Sequence, residues 1–383
     1  MRVLFVGSNP GGGGTESHFI SLARALVDAG HEVAAAVRPD DFIHRALAND
    51  ERIRLFAAEF RSRSDLHTIR QLTRLARTLR PDWIVGAFKA EYWGLALVAK
   101  SAGVPLVLFS HLDQRIRPVM LNPLMRLVRG VIVPSQYLRR RSIERGLPPS
   151  RVVVLRNPID VGRFKLDPKL RAHMRASLGI GETDLLLGYV GRFEPAKGVE
   201  TLARALNQAM AANPRLHALW VGHGKSEQAL RDITTSGSFP TRHHWMPWLD
   251  DVVPAYAAID MLALPSEGSE TFGRVLVEAQ ACGVPVLGAR NGGIPEALAD
   301  RETGQLLTPG DVAGWATAIG DLAGNDELRR ELGAAARGFA LRFDSRRIAT
   351  QFLRVLNAFS PAPADAVGTH NVPLKLAGEI VAD

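Results

Sequence analysis

One pair of cations in the second half of the chain has the residue types and spacing that hold an anion. Arg192 and Lys197 lie five residues apart in the segment GRFEPAKG, which follows a short apolar run and leads into a helical pattern. A guanidinium fork and a mobile ammonium at the start of a helix would together clamp a diphosphate. Taken without other residues, the same pair is typical of ordinary surface charges.

A pair of glutamates follows farther along the chain. Glu270 and Glu278 are eight residues apart, a little over two turns of a helix, and Glu278 lies among Val275, Leu276, Val277 and Ala279. A carboxylate in such apolar surroundings needs hydrogen-bond donors if it is buried. The hydroxyls of a ribose would supply them.

A run of four glycines, Gly11–Gly14, stands between the first strand-like segment and the first helix-like segment, with Thr15 expected as the N-cap. Glycines there allow backbone N–H groups to approach an anion at the positive end of a helix. The run is neither GxGxxG nor a Walker A loop, and a flexible turn without function is the alternative interpretation. Gly222–Ser226 also fails the Walker pattern, because Leu219 stands where the leading glycine is required, and we expect a strand-to-helix turn there.

The elements that must position these residues alternate between short apolar strands and amphipathic helices. Predicted strands are Val3–Val6, Glu32–Val37, Trp83–Gly86, Pro105–Ser110, Val131–Pro134, Val152–Leu155, Leu185–Val190, Ala218–Val221, Met261–Leu264 and Val284–Gly288. Predicted helices are Thr15–Ala29, Leu66–Leu79, Tyr92–Ala102, Gly198–Ala212, Ser226–Thr234, Gly273–Cys282, Val312–Ala323, Asp326–Arg342 and Arg346–Phe359. This alternation predicts parallel sheets covered on both faces, and therefore an α/β fold.

A length of 383 residues favours two domains. The turn-forming segments Asn157–Asp160 and Leu166–Pro168 interrupt the alternation and indicate the boundary. The predicted domains are 1–157, completed by the C-terminal helix 346–359, and 158–345. Residues 360–383 are expected to form a flexible tail.

Composition excludes several protein classes. Hydrophobic residues make up 46% of the chain and charged residues 22%, which is typical of globular proteins. Cys282 is the single cysteine, so an intramolecular disulfide and a cysteine-based zinc site are excluded and a reducing, cytoplasmic location is expected. The N-terminal sequence lacks the features of a signal peptide, and no apolar run is long enough to span a membrane.

Basic residues are concentrated in the first half of the chain. Residues 1–150 carry 22 Lys and Arg against 13 Asp and Glu, whereas the remainder carries 25 against 26. The excess falls on three groups of arginines: Arg70, Arg74, Arg77 and Arg80; Arg115, Arg117, Arg126 and Arg129; and Arg139, Arg140, Arg141 and Arg145. Such a surface suggests a membrane face, a phosphorylated lipid or nucleic acid as partner, with solvated helix faces as the alternative.

Taken together, these segments resemble the family 4 glycosyltransferases, which are retaining enzymes of GT-B fold. The resemblance covers roughly residues 1–358 and is carried by four elements in order: Asn157–Asp160 with Arg163 and Phe164, the Gly191–Gly198 loop, the Glu270–Glu278 element, and Gly292–Glu296. It implies two doubly wound Rossmann-like domains facing across a cleft, with a nucleotide-diphosphate sugar as donor.

The resemblance also implies roles for individual residues. Arg192 and Lys197 would hold the diphosphate, Glu278 would bind the ribose, and Glu270 would lie beside the donor sugar. The backbone around Thr271, Phe272 and Gly273 would contact sugar and phosphate, and Gly12 and Gly13 would close over them. His111, at the end of a predicted strand, matches a family histidine near the sugar, although a lone histidine there is more typical of packing. The catalytic set is therefore His111, Arg192, Lys197 and Glu270.

Some features are not carried over from the family. The segment His244–Leu249 occupies the region that usually recognises the nucleotide base, but it lacks the usual glycine. The identity of the base in the donor is therefore not predicted. Asn9, Pro10 and Asp113–Arg115 belong to the variable acceptor side, so the acceptor is also open. Because no Asp-x-Asp pair occurs, neither a catalytic metal nor another cofactor is expected.

The expected function is transfer of a hexose-type sugar, with retention, to a hydroxyl of a glycan or lipid-linked acceptor in polysaccharide or lipopolysaccharide assembly. The basic domain favours a peripheral position at the cytoplasmic face of the inner membrane, and nucleic acid is not an expected partner because aromatic residues do not alternate with the arginines. Alternatives are an epimerase of GT-B fold and a non-catalytic protein that binds anionic surfaces. A nicotinamide-dependent oxidoreductase is disfavoured by the absence of GxGxxG after the first strand.

Overall fold

The computed structural model describes residues 1–8, 11–62, 65–113 and 118–360, with the side chains at 118 and 119 excepted. Several residues named from the sequence lie outside these ranges: Asn9, Pro10, Gln114, Arg115, Arg117 and the tail from 361. Two compact units make up the chain. The first comprises Met1–Pro158 and the chain from Ser345 onward, and the second comprises Ile159–Asp344.

The described part of the first unit contains a seven-stranded parallel sheet in the order β3-β2-β1-β4-β5-β6-β7. Its strands are β1 Arg2–Gly7, β2 Glu32–Val37, β3 Ile53–Ala57, β4 Trp83–Gly86, β5 Leu106–Phe109, β6 Gly130–Val133 and β7 Val152–Val154. The helices between them are α1 Gly14–Asp28, α2 Phe42–Leu47, α3 Leu66–Leu79, α4 Tyr92–Ala102, α5 Pro118–Leu127 and α6 Gln136–Glu144. Short 3-10 turns lie at Lys89–Glu91 and Pro149–Arg151.

The second unit contains a six-stranded parallel sheet among its described residues, in the order β10-β9-β8-β11-β12-β13. Its strands are β8 Leu185–Val190, β9 Leu216–Val221, β10 His243–Met246, β11 Met261–Leu264, β12 Val286–Ala289 and β13 Gly304–Leu307. Its helices are α7 Pro168–Ser177, α8 Val199–Ala212, α9 Glu227–Ser236, α10 Val253–Ala258, α11 Arg274–Ala281, α12 Val312–Gly324 and α13 Asp326–Ala340. Its 3-10 turns are Pro195–Lys197, Pro240–Arg242, Ile294–Glu296 and Leu341–Phe343.

Strand alternation places the core of the first unit on both faces of its sheet. Val3 and Phe5 face one side of β1, and Leu4 and Val6 face the other, in two separate hydrophobic clusters. The last helix, α14 Ser345–Phe359, joins the Val3 side. Its Phe352 ring is fully buried and lies 5.7 Å from the ring of Phe109. Burial on both faces explains why these strands are continuously apolar in sequence.

Two local predictions are wrong for reasons of helix capping. The N-cap of α1 is Gly13, not Thr15, and the helix begins at Gly14. The turn predicted at Leu166–Pro168 is instead the start of α7: the side chain of Asp167 accepts from the backbone N–H groups of Lys169 and Leu170, and Pro168 occupies the first helical position. Asp and Pro are typical of both turns and helix starts, so composition alone did not separate them.

Candidate functional site

Each sheet reverses its direction of winding at one point, and the predicted site residues cluster beside these points. In the first unit β1 lies between β2 and β4, and in the second β8 lies between β9 and β11. At such a switch point the loops after two neighbouring strands diverge and leave a crevice at the carboxyl edge of the sheet. The glycine run follows β1, and the Arg192–Lys197 loop follows β8.

Three loops of the second unit bring its predicted site residues together. The loops after β8 and β11 are joined because the backbone N–H groups of Glu267 and Gly268 donate to the Ala196 carbonyl at 3.0 and 2.7 Å. This contact brings Lys197 to Glu270, and the Lys197 Nζ lies 2.5 Å from the Glu270 Oε2. Both side chains remain partly exposed. The structure therefore pairs Lys197, which is predicted to bind the diphosphate, with Glu270, which is predicted to lie beside the sugar.

The loop after β12 supports the same site through its glycines. The Gly293 N–H donates to the Glu270 carbonyl at 2.8 Å. A Cβ added to Gly292 would lie 2.1 Å from the Glu270 carbonyl oxygen, and one added to Gly293 would lie 2.2 Å from that of Thr271. Only glycine permits this close backbone approach. The motif Gly292–Glu296 was identified from the sequence, but its role in fixing Glu270 and Thr271 was not.

Glycines also fix the two loop ends that lead into helices. Gly198, the N-cap of α8, has φ +66, and a Cβ there would lie 2.2 Å from the Pro265 carbonyl oxygen. Gly273, the N-cap of α11, has φ +92. Phe272 is buried and Thr271 is partly exposed. The backbone from Thr271 to Gly273 therefore stands at the N-terminus of α11, where unpaired N–H groups favour an anion.

The guanidinium of Arg192 is the exposed cation of this loop. Its backbone carbonyl accepts a hydrogen bond of 2.8 Å from the hydroxyl of Tyr189, which anchors the loop to β8. Its side chain has no hydrogen bond or ion pair with any residue in the described part of the chain. Arg192 is thus available to a ligand, whereas Lys197 is already paired.

Glu278 has protein partners that the sequence analysis did not anticipate. The Nε of Arg274, one helical turn earlier, lies 2.6 Å from its Oε1. The hydroxyl of Tyr256 donates to its Oε2 at 2.9 Å. Burial raises the pKa of Tyr256, so this hydroxyl stays protonated and donates. Arg274 and Tyr256 therefore already supply donors that were expected to come from a ribose. Each carboxylate oxygen still has a lone pair that can accept a further hydrogen bond.

Aromatic side chains occupy the region expected to lie near the base. Trp245 on the edge strand β10 stacks 5.9 Å from Trp220, and the guanidinium of Arg231 lies 4.1 Å above its ring. Trp248 lies edge-on to His223 at 5.5 Å. These rings stand at the carboxyl ends of β9 and β10.

The predicted residues of the first unit lie around the switch point between β1 and β4. His111 is 9% exposed, stacks on Phe109 at 5.5 Å and meets His18 edge-on at 4.5 Å. It borders a small pocket that Thr15, Lys89 and Tyr92 also line. His111 thus combines the packing role of a core histidine with access to a pocket.

Gly12 and Gly13 lie at the start of α1, with Gly12 beside Phe42 of α2 and Gly13 beside the carboxylate of Glu16. A Cβ added to Gly12 would lie 3.1 Å from the Phe42 ring, so its neighbour would have to give way slightly. The backbone N–H of Gly11 donates to the carboxylate of Asp41, the residue before α2, at 3.2 Å. Among the described residues, no group of three or more His, Cys, Asp or Glu is placed to hold a metal ion. No helix in the described ranges is long and apolar enough to cross a membrane.

Two family models match the chain, one for each half. The model described as Glycosyltransferase Family 4 matches residues 12–163, and that described as Glycosyl transferases group 1 matches residues 171–339. The D-inositol 3-phosphate glycosyltransferase of Actinosynnema mirum is 32% identical over 70% of this chain and 68% of its own length. That of Segniliparus rotundus is 31% identical over 68% of this chain and 63% of its own length. The chain spans about half to two thirds of the curated relatives it matches.

Solved structures agree with this assignment. The crystal structure of Anabaena Alr3699/HepE in complex with UDP-glucose is 25% identical, with a TM-score of 0.81 over 94% of this chain and 100% of that one. A glycosyltransferase from Rickettsia africae has the same fold, with a TM-score of 0.83 at 17% identity and coverage of 94% and 98%. The GT-B fold class expected from the sequence is confirmed. The chain belongs to the family 4 glycosyltransferases.

Proposed function

We propose that this protein transfers a hexose-type sugar from a nucleotide-diphosphate sugar to a hydroxyl group of a glycan or lipid-linked acceptor, with retention at the anomeric carbon. The observation that carries the proposal is the pairing of Lys197 with Glu270 at the switch point of the second sheet, with the exposed Arg192 in the same loop as Lys197. The complexes of Anabaena HepE with UDP and UDP-glucose make UDP-glucose the first donor to test.

Leaving-group stabilisation is the main catalytic device in this proposal. The bond between the anomeric carbon and the phosphate oxygen breaks, negative charge develops on the diphosphate, and the acceptor oxygen bonds to the same face of the carbon. The acceptor proton passes to the departing phosphate oxygen. Arg192, Lys197 and the N–H groups from Thr271 to Gly273 face the developing anion, and one such donor contributes about 3–4 kcal/mol. His111 and Glu270 would lie near the sugar, and Gly12 and Gly13 would complete the donor site. No divalent ion or other cofactor is required.

Calorimetry with UDP, GDP, ADP and their common sugars tests the donor site. Arg192→Ala removes the exposed cation. Glu278→Gln removes the carboxylate that is proposed to bind the ribose, while it keeps a side chain that Tyr256 and Arg274 can contact. The proposal is supported if the parent binds one nucleotide selectively and both variants bind that nucleotide more weakly. Lys165→Ala, a change at an exposed residue, is the control. Absence of binding to every nucleotide would overturn it.

The acceptor is tested by product analysis with the donor thus identified. The acceptors tested are inositol 3-phosphate, lipid-linked glycans and soluble glycans. Inositol 3-phosphate is included because it appears in the names of the curated relatives. The anomeric configuration of the product decides retention. Conversion of the donor into a stereoisomer without any acceptor would instead identify an epimerase.

The proposed role in cell-surface polysaccharide or lipopolysaccharide assembly places the protein at the cytoplasmic face of the inner membrane. Support comes from α3, which exposes Arg70, Arg74 and Leu66, the last with 59% of its surface. By contrast, three of the four arginines in α6 or directly after it are engaged: Arg141 and Arg145 pair with Asp113, and Arg139 donates to the carbonyl of Val152. Residues of α3 are therefore the better candidates for contact with anionic lipid.

Vesicle flotation at low salt tests this surface. We expect the parent to bind vesicles that contain anionic lipid, and the double variant Arg70→Glu/Arg74→Glu to lose binding. Arg204→Glu, on the exposed side of α8, is the control for a change in net charge. Equal binding by the parent and the double variant would contradict the proposal.

A further inference from the structure

A buried carboxylate in the first unit has no role in the proposed chemistry. Glu91 ends the 3-10 turn after β4, and only 1% of its surface is exposed. Its Oε1 accepts two hydrogen bonds from Ser8, one from the backbone N–H at 2.5 Å and one from the hydroxyl at 2.8 Å. Its Oε2 is also buried, and no hydrogen-bond partner for it exists among the described residues.

This contact lies at the switch point of the sheet. The last register pair of β1 and β4 is Val6 with Gly86, and the Ala87 N–H adds one more bond to the Val6 carbonyl. Beyond it, parallel strands usually separate and leave a crevice. Here Glu91 and Ser8 continue the connection past the end of the ladder, so their contact fixes the position of Ser8, the first residue after β1.

The residue that Glu91 holds stands close to the glycine turn in the sequence. Two residues separate Ser8 from the run Gly11–Gly14, which ends at the first residue of α1. The Ser8 hydroxyl also accepts from the Phe60 N–H at 3.1 Å, and the Ser8 carbonyl accepts from the Arg38 Nε at 3.3 Å. Every polar group of Ser8 is therefore engaged, and Glu91 receives both of its donors.

We propose that Glu91 is a positioning residue: by holding Ser8 it sets the glycine turn, and through that turn it controls affinity for the donor nucleotide. The inference rests on the proposed function, in which Gly12 and Gly13 contact the donor. Glu91 touches no reacting atom in this scheme. Its loss should therefore act on donor binding more than on the chemical step.

The unpartnered oxygen adds a dependence on pH. Burial raises the pKa of Glu91 to about 7, because two hydrogen bonds from Ser8 do not compensate for the loss of water. Charged or titratable groups around the contact are Arg38 and Glu59, which pair with each other at 2.9 Å, and Lys89 and Tyr92 beside Glu91 in sequence. Below neutral pH the acid is uncharged and fits its site. Above it, a buried charge without a donor on Oε2 favours opening of the contact with Ser8.

Glu91→Gln, Glu91→Ala and the control Glu51→Gln test the proposal. Glutamine keeps the oxygen that accepts from Ser8 but does not titrate, and Glu51 is an exposed carboxylate of the same unit. Donor affinity and kcat are measured between pH 6 and pH 8.5 with a nucleotide-diphosphate sugar. Hydrogen exchange of the segment 8–16, corrected for intrinsic rates, is measured without ligand.

We expect donor affinity of the parent to fall about 3- to 10-fold as the pH rises, and that of Glu91→Gln to stay constant. Glu91→Ala should bind more weakly throughout, with KM changed more than kcat, and should exchange faster in the segment 8–16. Glu51→Gln should follow the parent.

Identical pH profiles for the parent and Glu91→Gln, or unchanged exchange of the segment in Glu91→Ala, would overturn the inference. If Glu91→Ala does not fold, the comparison of the parent with Glu91→Gln still decides. Failure of the parent to bind any nucleotide sugar would instead contradict the proposed function, and the exchange measurement would then decide whether Glu91 sets the turn.

Discussion

The ammonium of Lys197 and the carboxylate of Glu270 lie 2.5 Å apart although they follow different strands. In the proposed reaction the ammonium of Lys197 must either leave this carboxylate for the diphosphate or donate hydrogen bonds to both. Glu270 therefore holds the cation in place before the donor arrives and competes with the donor for it.

The first prediction separates these two effects. Lys197→Ala should lower kcat/KM by about 100-fold, because about 3 kcal/mol of leaving-group stabilisation is lost. Glu270→Gln should tighten nucleotide binding, because it frees the ammonium, while it lowers sugar transfer. Calorimetry and initial rates measure the two changes, with Lys165→Ala as control. Weaker nucleotide binding in Glu270→Gln would show that the carboxylate does not compete.

The second prediction concerns the two donors to Glu278. Tyr256→Phe removes one hydrogen bond to a buried carboxylate and should lower the free energy of unfolding by about 1–2 kcal/mol. Nucleotide affinity should remain close to that of the parent, because Oε2 then becomes free for a ribose hydroxyl. Arg274→Met should cost about 3–5 kcal/mol, since it leaves a buried charge without its partner. Urea denaturation measures both, and equal losses would mean that the ion pair adds nothing beyond a hydrogen bond.

The third prediction follows from a buried histidine in the second unit. Trp220 Nε1 lies 3.2 Å from His243 Nδ1, and His243 Nε2 lies 3.2 Å from Asn207 Oδ1. Because the indole can only donate, Nδ1 accepts and the proton resides on Nε2. Burial, with smaller contributions from His244 and His217, lowers the pKa of His243 to about 4.

The unfolded chain takes up this proton near pH 6.5 and the folded protein does not. The contribution to stability is thus complete above pH 6.5 and is lost as the pH falls toward 4. Between pH 7 and pH 5 the loss should be about 2 kcal/mol. His243→Gln should reduce this acid sensitivity in urea denaturation, and the exposed His173→Gln should not. Equal sensitivity of the parent and His243→Gln would refute the assignment.

The fourth prediction concerns α14, which completes the core of the first unit. Phe352→Ala should lower the free energy of unfolding by about 3–5 kcal/mol, because its ring is fully buried beside Phe109. Arg354→Ala, on the exposed face of the same helix, should change it little. Removal of the chain from Ser345 should expose this core and abolish activity. A truncated protein with full activity would contradict the assignment of α14 to the first unit.

The fifth prediction is that sugar transfer persists in excess EDTA, because Arg192 and Lys197 supply the positive charge that a divalent ion would otherwise provide. Initial rates before and after chelation, with Mg²⁺ added back, are the measurement. Loss of turnover in EDTA that Mg²⁺ restores would refute it.

The sequence by itself determined the fold class and indicated the candidate residues of the second-unit site. Continuous apolar runs such as Leu185–Val190 indicated strands buried on both faces, and the predicted bounds of β8 and α3 match the structure. Arg192, Lys197 and Glu270 were identified because their segments, taken together in order and spacing, resemble those of the family 4 glycosyltransferases. Edge elements such as β10 and β13 were missed, since their short, mixed sequences have no clear period.

Only the tertiary structure decided which of these groups are already paired. Tyr256 on α10 contacts Glu278 on α11, 22 residues later in the chain. Lys197 meets Glu270 because loops after neighbouring parallel strands converge at one edge of the sheet, whatever their separation in sequence. The same convergence places Glu91 against Ser8 in the first unit. Nothing in the local sequence of Glu91 indicates burial or a missing donor, because both depend on residues contributed by another strand.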